Sequence, residues 1–407
     1  MKHTIKFYAM LACLAGLAVF YSCSDDDDSP STFTIASAMA GSKDLNGATA
    51  ATEVPLDADL VVTFNTDVDE STATSSNITL KRIFDDVAVP LSFDVSGKTL
   101  TIAPSSELSG GVQYLLSVGA GLKSASGVAF GAVERTFTTT GTFAPDGALA
   151  HWRFENNGND EMGDHNADAS VEVTYVDGRN ANAGKAASFN GTTSIMEVPD
   201  GTDFTNTANF SISLWIKPDT TARAGGGNFV LGLGASNGFQ IELHSKDAKM
   251  AAQYDLGGGM TGGEDTWIDG KGNLGWQGWT FSKNYGAQGL AAVLHGKWVN
   301  LVFTYTAATK VGAAYVNGEL AKTFDFNKWP DGDAKRNVTG MKFKTQDGVG
   351  QKLAFGFIND RSSTAFDYGN YENVDAQHYK GLLDDVRIYN KAITLKEIEV
   401  MYNSEKP

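Results

Sequence analysis

Two stretches of this sequence have the letters of catalytic motifs but not their setting. Gly234-Ala-Ser236-Asn-Gly238 has the G-x-S-x-G spacing of a nucleophile elbow, which must join a strand to a helix. Residues 239–243 alternate as a strand instead, so a turn between strands is expected. Gly270-Lys-Gly272-Asn-Leu-Gly275 has the G-x-G-x-x-G spacing, but Trp276-Gln-Gly-Trp279 opens no helix and no βαβ unit surrounds it. It reads as a glycine-rich loop. Asp164-His-Asn166-Ala-Asp168 begins like a calcium loop, without the glycine at position six or the glutamate at twelve, where Tyr175 stands.

The residues best suited to chemistry are aromatic. Residues 255–290 hold eleven glycines together with Trp267, Trp276, Trp279, Phe281 and Tyr285. Sugars stack their apolar faces on flat rings while acids and amides take the hydroxyls, and Asp265, Asp269, Asn273 and Asn284 stand near these rings. The expectation is a stacking platform led by Trp276 and Trp279; the alternative is a loop that packs on itself. A second stretch, 359–378, offers Arg361, Phe366, Tyr368, Tyr371 and His378. The candidate ligand-binding residues are therefore Trp267, Trp276, Trp279, Tyr285, Tyr368 and Tyr371, and no residue is assigned a catalytic role.

These residues need a scaffold, and the composition indicates which kind. With 407 residues, two or three domains are expected. Glycine, at 45 residues, favours a turn-rich β fold. The formal charge of −16, with no basic stripe, excludes nucleic acid and anionic membrane surfaces as partners. Lys2, His3 and Lys6 precede an apolar run over residues 7–21, short for a membrane span but right for a signal segment. Removing residues 1–22 takes two of the 32 basic residues, leaving 30 against 48 acidic ones. It also leaves no disulfide, since Cys13 goes and Cys23 stands alone.

Cys23, followed by Ser24-Asp-Asp-Asp-Asp28, resembles a bacterial lipoprotein signal in which the cysteine is lipidated, and the acidic run resembles the surface-export signal of Bacteroidetes lipoproteins. That resemblance implies an outer-membrane, cell-surface protein anchored through Cys23, with residues 23–32 as an acidic linker. The alternative is an ordinary secretory signal.

Residues 33–142 read as about seven short alternating strands, among them Leu60-Val-Val-Thr-Phe64, Thr99-Leu-Thr-Ile102 and Val112-Gln-Tyr-Leu-Leu-Ser-Val118. With Val54-Pro55, Val68-Asp69, Tyr114 and Phe137-Thr-Thr139, this region resembles the bacterial Ig-like domains of surface proteins, which implies a spacer. Residues 140–147 form a Gly/Pro/Asp link.

From 147 to 407 strands continue. Residues 209–217 alternate with Phe210, Ile212, Leu214 and Ile216 on one face. One helix is expected at the end, opened by the capping box Thr394-Leu-Lys-Glu397. Ala150-His-Trp-Arg-Phe154, Phe210-Ser-Ile-Ser-Leu-Trp-Ile-Lys-Pro218, Tyr315-Val-Asn-Gly318 and Gly381-Leu-Leu-Asp-Asp-Val-Arg-Ile-Tyr389 resemble the laminin-G-like, concanavalin A-like jelly rolls of bacterial surface proteins. The expected fold is all-β: an Ig-like sandwich, then a jelly roll with a short C-terminal helix, residues 255–290 being an insertion.

The resemblance implies several functions, from lectin to spacer to domains attached to enzymes. Glucanases of this type carry E-x-D-x-x-E on one strand. That pattern is absent, and Glu242 has no acid two residues away. Asp384 is expected to share a face with Leu382, Val386 and Ile388, where a buried charge needs a partner or a metal. In related jelly rolls the equivalent aspartate binds a structural calcium, which implies a Ca2+ site of Asp384 with Asp160; hydrogen bonding to backbone or arginine is the alternative. The functional expectation is a monomeric, non-catalytic glycan-binding protein, the alternatives being an adhesin for a protein partner or a glycoside hydrolase or lyase.

Overall fold

The computed structural model describes residues 32–219, 228–244, 246–275, 277–365, 370–372 and 377–407. Cys23, Trp276 and Tyr368 lie outside the described residues. The remainder forms two sandwiches.

The first has two five-stranded sheets. One runs in the order Lys43–Asp44, Ile35–Ala40, Leu60–Phe64, Thr99–Pro104, Leu91–Ser96, and the other Ala51–Val54, Val133–Thr139, Gln113–Val118, Ile78–Arg82, Ala88–Val89. Period-two alternation sends Leu60, Val62 and Phe64 inward against Leu100 and Ile102, all fully buried. Phe33, Phe64 and Phe130 pack ring on ring at 4.7–5.7 Å.

The second sandwich is larger. Its first sheet runs Thr174–Asp177, Lys185–Asn190, Lys380–Tyr389, Asn209–Pro218, Val299–Thr306, Val311–Val316, Glu319–Asp325, Trp279–Ser282, with Ala148–Trp152 also paired to Lys380–Tyr389. The opposing sheet runs Ala169–Val171, Ile195–Val198, Leu353–Phe355, Asn228–Leu233, Phe239–Leu243, Ala248–Asp255, Thr261–Ile268. Phe210, Ile212, Leu214 and Ile216 meet Leu231, Phe239, Ile241 and Met250 in one core. The Val311–Val316 and Glu319–Asp325 hairpin turns on Asn317-Gly318, both at positive φ, as a tight two-residue turn requires.

Strand Asn209–Pro218 is buried on both faces. Its outward residues Ser211, Ser213 and Trp215 are covered by the C-terminal segment. The small Ser211 lets that segment lie close: its Oγ donates to the Lys391 carbonyl at 2.8 Å and accepts from the Ile393 N–H at 2.9 Å. The helix Leu395–Glu405 then begins at Thr394 with the expected capping box. Ile393, Ile398 and Met401 belong to the same apolar cluster as the Ig-like core, and Ser404 Oγ accepts from the Phe143 N–H at 2.9 Å.

Residues 255–290 are not one extended loop. Thr261–Ile268 pairs along its whole length with Ala248–Asp255, and Trp279–Ser282 pairs with Glu319–Asp325. The hairpin turns on Gly257, Gly258 and Gly259, all at positive φ, where side chains would be strained.

Candidate carbohydrate-binding cleft

Two terminal strands face each other where the sheets of the second sandwich end: Thr261–Ile268 and Trp279–Ser282. A terminal strand presents unpaired backbone N–H and C=O groups, useful partners for a polar ligand. Between them lies a cleft of about 500 Å³ lined by Gly263, Glu264, Asp265, Trp267, Asn273, Gly275, Trp279 and Lys335.

Alternation along Thr261–Ile268 sorts its side chains. Ile268 enters the core, and Asp265 and Trp267 share the opposite face. Trp267 stands across from Lys249, and Lys249 across from Glu242, giving a row over three strands. Lys249 Nζ is 2.9 Å from Glu242 Oε1, 3.5 Å from Asp265 Oδ2 and 5.2 Å from the Trp267 ring centre. The His244 ring lies 5.0 Å from Trp267, and its Nε2 is 3.3 Å from Glu242 Oε2. Gln240 also donates to Glu242. Burial pushes the Glu242 carboxyl up, but His244 and Lys249 outweigh it and hold it below its ordinary value.

On the other wall Trp279 is half-buried against the core. Lys322, fully buried, places Nζ 3.5 Å from the centre of its ring and donates to the Asn273 carbonyl at 2.6 Å. Burial pulls this ammonium down to about 8, with Asp269 opposing. Asn273 is thereby tied to the wall that carries Trp279. The Trp279 indole Nε1 has no hydrogen-bond partner.

Of the aromatic residues expected to bind ligand, the fold thus brings together Trp267 and Trp279. Tyr285 packs against the core with its hydroxyl buried, and burial pushes that hydroxyl's pKa up. Tyr371 lies under a different loop, edge-on to Phe357 and His378, and its hydroxyl donates to the Thr193 carbonyl. Sequence reasoning missed Lys249, Glu264, Lys322 and Lys335, and left Glu242 without partners. The partners lie across neighbouring strands, and the one local signal was the alternation in 261–268.

The pair assigned to calcium is arranged otherwise. Asp160 accepts from the backbone N–H groups of His151, Met162 and His165 at 2.7–3.1 Å. Asp384 Oδ2 accepts from Arg179 Nη1 at 2.5 Å, and its Oδ1 from the Asp385 N–H at 2.9 Å. The two carboxylates share no hydrogen-bond partner. Arg179 supplies the countercharge to Asp384 and backbone N–H groups engage Asp160, so the arrangement seen is hydrogen bonding to arginine and backbone, with no donor set shared between the two that would suit Ca2+. Nor does Asp384 share the core face. The strand bulges there, with Asp385 at φ +44° and a register shift against Asn209–Pro218, which leaves Leu383, Val386 and Ile388 inward. Among the described residues no cluster of three or more His, Cys, Asp or Glu is placed to hold a metal.

Arg179 also reaches Asp385 at 2.6 Å, and Arg387 joins Asp385 to Glu405 at 3.1 and 2.6 Å. Burial and the Asp385 charge push the Asp384 carboxyl above its ordinary value, with Arg179 opposing. Asp385 stays well below its ordinary value, because Arg387, His151 and Arg179 overcome the push of burial.

Residues 43–139 match the bacterial Ig-like domain family, and residues 190–354 match the concanavalin A-like lectin/glucanases superfamily. No curated protein matches the sequence. Among solved structures, the chain is similar to the type G botulinum neurotoxin receptor-binding domain (13% identity, 63% of this chain and 51% of that one, TM-score 0.38). It is also similar to domain 4 of the extracellular arabinanase AbnA of Geobacillus stearothermophilus, solved with arabinotriose (21%, 63% and 98%, 0.37). A third is the botulinum neurotoxin serotype D ligand-binding domain with N-acetylneuraminic acid (15%, 64% and 51%, 0.39). The chain spans about half the length of the two neurotoxin domains. Fold and family models agree: this chain carries a bacterial Ig-like domain followed by a domain of the concanavalin A-like lectin/glucanases superfamily.

Proposed function

We propose that this protein binds carbohydrate in the cleft between Trp267 and Trp279, without catalysis, and does so at the cell surface as a monomeric lipoprotein. The observation that carries the reading is the pairing of two indoles across one cleft with Asp265, Asn273 and terminal-strand backbone between them. Rings supply a flat apolar surface for sugar C–H groups, and the polar groups take hydroxyls. Membership of a superfamily that includes lectins supports the same reading.

Affinity electrophoresis and calorimetry of the full chain against a broad glycan panel test it. Binding to at least one glycan, weakened by Trp267→Ala, is expected; no binding to any glycan overturns the reading. The Ig-like domain acts as the spacer and Cys23 as the lipid-bearing residue. Metabolic labelling with a fatty acid, lost in Cys23→Ser, is the expected result, and label retained in that variant removes the anchor.

A further inference from the structure

The charges around the cleft narrow the class of sugar, an inference that rests on the carbohydrate reading. Three carboxylates, Glu242, Glu264 and Asp265, stand in or beside the cleft with two ammonium groups, Lys249 and Lys335. Both ammonium groups are already engaged. Lys335 donates to Glu264 and sits 4.2 Å from the centre of the Trp329 ring. Lys249 bridges Glu242 and Asp265. The third nearby lysine, Lys322, is sealed behind Trp279 and given to the Asn273 carbonyl.

In sum Lys249, Lys322 and Lys335 balance the three carboxylates, but each lysine is turned to a protein partner, and the most accessible of the carboxylates is Asp265, whose side chain is 44% exposed. Glu242 and Glu264 are almost wholly buried. A carboxylate so placed has two acceptor oxygens for a pair of neighbouring sugar hydroxyls, while a ligand carboxylate would meet it with no uncommitted ammonium in the lining. Like charges brought together in this way act mainly to exclude wrong partners.

We propose that the cleft takes an uncharged oligosaccharide and excludes anionic ones, with Asp265 as the residue that sets the discrimination. The Glu264 carboxyl agrees with this field: burial pushes it up, Lys335 opposes, and Asp265 adds to the push.

Calorimetry of the full chain with length-matched probes is the test, setting neutral xylo-, arabino-, galacto- and manno-oligosaccharides against oligogalacturonate and oligomannuronate. At least one neutral probe is expected to bind, and the uronates about tenfold more weakly or not at all. Asp265→Asn keeps the shape and removes the charge. It is expected to narrow the neutral-to-uronate ratio by about tenfold without moving the melting temperature. In the unmodified protein, affinity for the neutral probe is expected to hold between low and high salt, since no ion pair forms with ligand. A uronate bound as tightly as its neutral counterpart, or a ratio unchanged in Asp265→Asn, overturns the discrimination and leaves carbohydrate binding standing. Silence from every probe overturns the discrimination as proposed, and the broad glycan panel then decides carbohydrate binding itself.

Discussion

Cations lie over tryptophans at two ends of this domain, with opposite consequences. Arg179 sits 4.7 Å from the Trp215 ring, Tyr402 stacks at 5.7 Å, and the indole N–H donates to Glu405 at 2.7 Å. Each part of that ring is used. At the cleft, Lys249 and Lys322 approach Trp267 and Trp279 in the same manner, but among the described residues no α-helix closes over the rings. Ring, cation and carboxylate recur in both places, so the chemistry alone does not say which is the binding site. Closure by the C-terminal helix makes one a clamp; its lack leaves the other a cleft.

The largest effect should come from opening the clamp. Arg179→Ala leaves Asp384 and Asp385 buried without their shared partner, and breaking such a pair costs about 3–5 kcal/mol. Urea denaturation would show it, and a loss below about 1 kcal/mol would mean the network is incidental.

Acid should act on the same end. Burial pulls the His151 imidazole down to about 4, Arg387 adding and the Asp385 hydrogen bond opposing. An unfolded histidine titrates near 6.5, so between those values the unfolded chain binds the proton first. The His151 contribution to stability is therefore full above about pH 6.5 and falls as the pH drops toward 4, by up to about 3 kcal/mol, while the raised Asp384 carboxyl works in the opposite direction. The same titration on His151→Gln should be flatter in that window.

The third effect separates the two ends directly. Trp267→Ala should weaken glycan binding by about 1–3 kcal/mol, by analogy with bases stacked on aromatic rings, with little change in melting. Trp215→Ala should do the reverse, costing stability rather than affinity. If Trp267→Ala proves as destabilising as Trp215→Ala, the rings are alike and the cleft reading fails. The smallest expected effect is none: excess chelator should leave the melting curve in place, because Arg179 and backbone N–H groups occupy the two aspartates.

What was legible in the sequence follows from the range of each interaction. Strand 209–217 and the Thr394 capping box are local patterns, and both stand in the structure. Thr261–Ile268 is equally local, but Gly262 and Gly263 dilute its alternation and disguise a strand as loop. Glu242 needed Lys249 and Asp265 from two neighbouring strands, and Asp384 needed Arg179 from 205 positions away. The bulge at Asp385 broke the period-two rule on which the placement of Asp384 rested. Pairing across strands is set by topology, which no spacing rule encodes.

The C-terminal helix has one more consequence, and it is mechanical. Its residues Ile398 and Met401, with Ile393 just before it, are packed with the Ig-like core while Glu405 is held by Arg387 and Trp215 of the second domain. A pull on a ligand in the cleft therefore has two routes into the first domain, the 140–147 connection and this helix, acting side by side. The last segment of the chain works as a strut, sharing tension that a lone tether would bear in full.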